Sequence, residues 1–187
     1  MRIYVIDNYD SFIHNIVRYL KTPVVEEVMI VKNDQVNMRE IKSFDNILLS
    51  PGPGIPKAAG SMMEVIDRYH RTHSMLGICL GHQAIGEYFG WELRRLAEPL
   101  HGIATGLNIT DRDCLFKDIE DGSAIGHYHS WVLHSREGMP LVTTAVDDED
   151  NLMALRHREY RLFGLQFHPE SVLTANGKTI LQNWLNQ

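Results

Sequence analysis

Apolar positions along this chain follow two rhythms. In the first half, short apolar runs alternate with segments whose apolar residues recur three and four apart. Residues 3–6 predict a buried strand. Residues 12–20 predict a helix with Phe12, Ile13, Ile16, Val17 and Leu20 on one face. Asp10 or Ser11 is the expected cap. Residues 28–31 and 47–49 predict two more strands, the latter running into Ser50-Pro51-Gly52-Pro53-Gly54. Residues 61–70 predict a helix that buries Met62, Val65, Ile66 and Tyr69. Residues 76–78 predict a strand ending at Cys79. Residues 82–89 predict the helix after it, stopped by Gly90. Past Trp91 the rhythm changes. Short strands are expected at 107–110, 124–128, 141–146, 152–158 and 162–166, with few helices before a last one at 178–185.

Strand–helix alternation predicts an α/β fold: a mostly parallel central sheet with helices on both faces. The second half reads as a smaller antiparallel extension of that sheet. No repeat or linker divides the chain, so residues 1–187 are expected to form one domain. Ligands of such sheets bind beyond the carboxyl ends of the strands. The Pro-Gly loop and the Cys79 turn fall at two such ends.

Composition narrows the function. Hydrophobic residues make up 44% and charged residues 22%, values of an ordinary globular domain. The net charge of -6 offers no basic excess for phosphate contacts, which argues against nucleic acid. No run approaches the roughly 18–20 apolar residues of a membrane span. The first apolar run is too short for a signal peptide. Two cysteines are too few for a disulfide framework. The expectation is a reduced, cytoplasmic protein in which a cysteine is free to act as a nucleophile.

Gly77-Ile78-Cys79-Leu80-Gly81 has the spacing of a nucleophile elbow, with cysteine as nucleophile. The glycines relieve crowding in a sharp turn. The following helix aims its positive end at the sulfur and favours the reactive thiolate. The Leu80 N–H, a first-turn donor, is available to a developing oxyanion. A lone cysteine is more often a buried packing residue, and Cys114 is read that way. For Cys79 the setting favours catalysis.

A thiol nucleophile needs a base, and the base needs an orienting group. Gln166-Phe167-His168-Pro169-Glu170 supplies a candidate pair, His168 as base and Glu170 as orienter. In an extended segment residues two apart face one side, and Pro169 biases His168 toward that backbone. With ten histidines in the chain, His168 carries weight only together with the elbow. In the Pro-Gly loop Pro53 lacks an N–H, so a second oxyanion donor is Gly52 or Gly54, with Gly54 favoured. His127, His129 and His134 invite a metal reading, but no Cys or Glu completes the set and no metal is expected. Ser130 at a strand end better suits a polar ligand.

Taken together, Asp7-Asn8-Tyr9-Asp10-Ser11-Phe12, the Pro-Gly loop, the run from Gly77 to Gln83, Tyr128-His129-Ser130 and the run from Gln166 to Ser171 resemble the class I (triad-type) glutamine amidotransferases. The opening run and the short length are similar to the small glutaminase subunits of anthranilate and aminodeoxychorismate synthases. The resemblance implies L-glutamine as substrate and no cofactor. It implies Cys79, His168 and Glu170 as catalytic residues. Gly52, Pro53, Gly54 and Leu80 would serve the oxyanion, and Gln83, Ser130 and Trp131 would hold the substrate. The partner it implies is a larger chorismate-binding synthase subunit, in tryptophan or folate synthesis. Two positions depart from the family pattern. Trp131 replaces a usual leucine. Ile103 stands where a lysine is common, which bears on the partner interface. An α/β-hydrolase reading fails on order, because the acid follows the histidine by two residues. A catalytically silent binding subunit is disfavoured by the intact triad.

Overall fold

A computed structural model describes residues 1–187. Strands β1 (Arg2–Asp7), β2 (Glu27–Lys32), β3 (Asn46–Leu49) and β4 (Ser74–Ile78) come first. They are followed by β5 (Glu92–Ile109), β6 (Ser123–His134), β7 (Leu141–Val146), β8 (Leu152–His157) and β9 (Leu162–Leu165). All join one sheet in the order β2-β1-β3-β4-β9-β8-β7-β5-β6. The helices are α1 (Ile13–Leu20), α2 (Met38–Ile41), α3 (Met62–Tyr69), α4 (Leu80–Tyr88) and α5 (Gly177–Leu185).

The alternating side chains of β1 show why both faces are covered. Ile3 and Val5 join a core cluster with Ile13, Ile16 and Leu20 of α1 and Trp184 of α5. Tyr4 and Ile6 point the other way and pack with α3 and α4 through Val65, Ile66 and Ile85. A strand buried on both faces reads as an unbroken apolar run, as residues 3–6 do. No helix is long and apolar enough to cross a membrane.

Several features differ from the sequence expectation, beginning with α2, which the pattern does not predict, and β6, which runs past residue 128 to His134. β9 pairs parallel with β4 as well as antiparallel with β8, so the last strand belongs to the parallel half and closes the connection. β5 runs for 18 residues, whereas only its last few are expected from the pattern. Its register against β6 shifts between Arg95 and Leu100 and again between His101 and Ile103. Each bulge changes the face that later residues present, which erases the period of two. At α1 the cap position is Phe12 and no side chain caps it; neither Asp10 nor Ser11 does so. Cys114 is exposed rather than packed, and its neighbours Leu115 and Phe116 fill the core instead.

Candidate active site

The elbow follows from close packing. β4 ends at Ile78 and α4 begins at Leu80, leaving Cys79 alone to turn the chain, with φ 50° and ψ −100°. Such a conformation is costly for any residue with a Cβ, by about 1–3 kcal/mol. It is over-determined on both sides. The Cys79 N–H donates to the Leu165 carbonyl at the end of β9 (2.7 Å), and the Cys79 carbonyl accepts from the Gln83 N–H (3.0 Å). A Cβ on Gly81 would press into the Leu49 carbonyl, and one on Gly77 would press into Gly81. The two flanking glycines therefore let α4 start directly over the strand ends.

The base arrives on the segment after β9. That segment is not extended as expected. Pro169 and Glu170 form a turn, closed by the Ser171 N–H donating to the His168 carbonyl (3.2 Å). The turn swings the carboxylate back, and His168 Nδ1 donates to Glu170 Oε1 at 2.7 Å. The His168 backbone is fixed by its N–H to the Gly126 carbonyl (3.1 Å) and by Thr174 Oγ1 donating to its carbonyl (2.6 Å). Tyr128 packs edge-on against the imidazole, with ring centroids 5.1 Å apart. Burial on its own would push this imidazole down. The Cys79 sulfur facing it and the Glu170 carboxylate outweigh burial and raise it to about 10. Cys79, His168 and Glu170 are all buried, at 7%, 6% and 7% exposure.

The opening motif braces the Pro-Gly loop. The Asn8 N–H donates to Ser50 Oγ (2.9 Å), and Asn8 Nδ2 donates to the Ser50 carbonyl (2.8 Å). Asn33 Nδ2 donates to Asn8 Oδ1 (3.0 Å). Gly52 lies so close to Asn8 that a Cβ there would overlap its backbone. Asn8 belongs to the opening motif but has no role assigned from the sequence, and Asn33 lies in no motif. Their burial and their bond to each other are the signal that marks them.

Two cavities meet at Cys79. The smaller, about 280 Å³, is lined by the loop from Gly52 to Ile55, by Cys79 and Gln83, and by the β6 stretch from Tyr128 to Trp131. The larger, about 370 Å³, holds Cys79, His168 and Glu170 with Asp10, Ser11 and His101. Gly52 borders both, whereas Gly54, with φ 83°, borders only the smaller. Leu80 opens α4 beside them. Gln83 Nε2 donates to the Trp131 carbonyl (3.0 Å) and to Gln166 Oε1 (3.1 Å). Sequence reasoning missed Asp10, whose buried Oδ2 is unpaired and whose carboxyl is raised, chiefly by burial. Phe12 and Val172 stand exposed at the mouth of the larger cavity. Ile103 is an exposed residue on β5, and His134 ends β6 in the open, apart from His127 and His129.

A cysteine on a strand–helix elbow, a histidine facing it and a carboxylate behind that histidine make a triad capable of acyl transfer. The family model for class-I glutamine amidotransferases matches residues 4–187. The chain belongs to this family. It is 38% identical to anthranilate synthase component 2 of Pseudomonas aeruginosa, over 97% of this chain and 94% of that protein. It is 40% identical, over 99% of its length, to the bifunctional protein TrpGD of Thermotoga maritima, of which it spans 32%. Among solved structures, one described as a GMP synthase subunit from Thermoplasma acidophilum superposes with a TM-score of 0.88. That protein is 25% identical, and the match covers all of this chain and 92% of the other. The amidotransferase is thus placed by fold and by sequence together.

Proposed function

We propose that this amidotransferase is the cytoplasmic glutaminase subunit of an anthranilate synthase, supplying ammonia to a larger chorismate-binding subunit in tryptophan synthesis. The observation that carries the reading is the triad, with His168 between Cys79 and Glu170 in a buried site. L-Glutamine enters the smaller cavity, where Gln83 and the backbone of Ser130 and Trp131 hold it. Cys79 Sγ bonds to the side-chain amide carbon, and the amide oxygen takes the negative charge. The Leu80 N–H and the loop from Gly52 through Pro53 to Gly54 face that oxygen. Gly52 is the better donor, since it borders both cavities. The imidazolium of His168 gives its proton to the nitrogen as the C–N bond breaks, and ammonia leaves. His168 then takes a proton from water as the water attacks the thioester, and glutamate is released. Glu170 holds the ring and stabilises its charged form.

A protein partner is supported by the exposed Phe12 and Val172 at the mouth of the larger cavity, the path open to ammonia. The names of the relatives favour tryptophan over folate synthesis. In the reconstituted complex, Cys79→Ser should abolish glutamate release from glutamine, while added ammonium still supports anthranilate formation. Glutamine-dependent turnover in this variant would overturn the nucleophile. Formation of aminodeoxychorismate and no anthranilate would overturn the pathway.

A further inference from the structure

The two histidines first weighed as metal ligands form a hydrogen-bonded chain of another kind. His127 and His129 lie two apart on β6 and share its buried face. His129 Nδ1 lies 3.1 Å from the Trp131 carbonyl. His129 Nε2 lies 3.1 Å from His127 Nδ1, and His127 Nε2 lies 2.7 Å from Thr105 Oγ1. Thr105 sits on β5, directly opposite Ile125 and so diagonal to His127 in the ladder.

The direction of this chain is forced from one end. A carbonyl only accepts, so His129 Nδ1 must carry the proton. A neutral His129 then accepts at Nε2, and His127 must donate from Nδ1. His127 in turn accepts at Nε2, and the Thr105 hydroxyl donates to it. Burial holds both rings in the neutral form this requires: it pushes His127 down and His129 to about 3. Every polar atom along the line is then matched with one proton. The far end is the Trp131 carbonyl, which also accepts from Gln83 Nε2. The same carbonyl therefore anchors both the rim of the smaller cavity and the side chain of Gln83.

We infer that Thr105 and His127 are positioning residues, which complete the hydrogen-bonded line through His129 and so hold the Trp131 peptide and Gln83 in place at the glutamine pocket. The inference rests on the reading of that cavity as the glutamine site. It predicts an effect on glutamine binding and little on the chemistry at Cys79, since neither residue touches the triad through this chain. It also makes β5 part of the substrate site, although Thr105 and His127 do not themselves line the cavity.

The test uses the complete chain with its synthase subunit. Thr105→Val removes the hydroxyl at nearly constant shape. It should raise KM for glutamine about tenfold, the scale of one buried hydrogen bond left unmatched, with kcat within about twofold. Thr105→Ser should restore the wild-type KM. His127→Asn, whose amide nitrogen can stand in for Nδ1, should lie nearer the wild type than His127→Gln. Nitrogen-15 NMR should show both rings as Nδ1–H tautomers in the wild type, with the His127 Nε2 signal moving toward that of an unbonded acceptor in Thr105→Val. Ammonium-dependent synthesis should not change. If Thr105→Val keeps the wild-type KM and the wild-type His127 Nε2 signal, the relay is overturned while glutaminase activity stands. A fall in kcat with lowered melting temperature and no rise in KM also overturns it. If the wild type releases no glutamate, the pocket assignment fails and the inference fails with it.

Discussion

At the scale of a residue, Cys79 shows how a reactive group is held. Its φ of 50° is unfavourable for a side chain, yet the bonds to Leu165 and Gln83 leave it no alternative. This conformation suits glycine. At an ordinary buried position Ala is more stable than Gly by roughly 0.5–1 kcal/mol. Here the order should reverse: Cys79→Gly should be more stable than Cys79→Ala by about 1 kcal/mol, both inactive. Urea unfolding of the two variants decides it, and an Ala variant the more stable by the usual margin would show that the turn stores no strain. The cysteine and its glycines were legible as a motif, because the spacing states the turn. The carboxylate was legible by identity and not by geometry. Glu170 reaches His168 through a turn at Pro169 rather than along an extended strand. A histidine and a glutamate two apart fit either path, so the pattern alone could not choose.

At the scale of the element, the parallel half was legible and the hairpin was not, for a physical reason. Strands buried on both faces are apolar throughout, and amphipathic helices between them keep a steady period. β5 has neither signal. It carries Pro99, two register shifts and a mostly exposed surface, so its apolar residues keep no constant face. Yet β5 contributes Thr105 and His101 to the surroundings of the site. By contrast, the β4–α4 junction is tightly specified. Gly81→Ala would force a methyl group into the end of β3 at Leu49. The expected cost is about 3 kcal/mol, with activity lost along with stability. Gly138→Ala, in an open turn with φ 77°, should cost about 1 kcal/mol and leave activity intact. Equal losses in thermal melts of the two would remove the packing argument for the elbow.

At the scale of the molecule, the buried histidines set the dependence of stability on pH. His82 and His129 are pushed to about 3 by burial, whereas in the unfolded chain they titrate near their ordinary value of 6.5. Below 6.5 the unfolded state binds protons that the fold refuses, so their contribution is complete above 6.5 and falls as the pH drops. The loss approaches about 1.4 kcal/mol per pH unit for each group. Asp113, raised by burial from 3.8 to about 6, acts in the opposite sense and offsets one histidine over that interval. Replacing it as Asp113→Asn should therefore steepen the acid limb. The substitution keeps an acceptor for the Leu115 N–H. His168 governs the other side. Its folded form holds the proton up to about 10, so its contribution is complete below 6.5 and is lost as the pH rises through 10. Stability should thus peak near pH 6.5 and decline both ways. Because Cys79 is one of the two groups that raise His168, Cys79→Ala should flatten the alkaline decline and leave the acid decline in place. Denaturant midpoints of the wild type and both variants at pH 5, 6.5 and 9 test this. A midpoint that climbs steadily from pH 5 to 9 would contradict it, as would an alkaline limb indifferent to Cys79. The second outcome would also separate His168 from the sulfur, and with it the proton donor from the bond it serves.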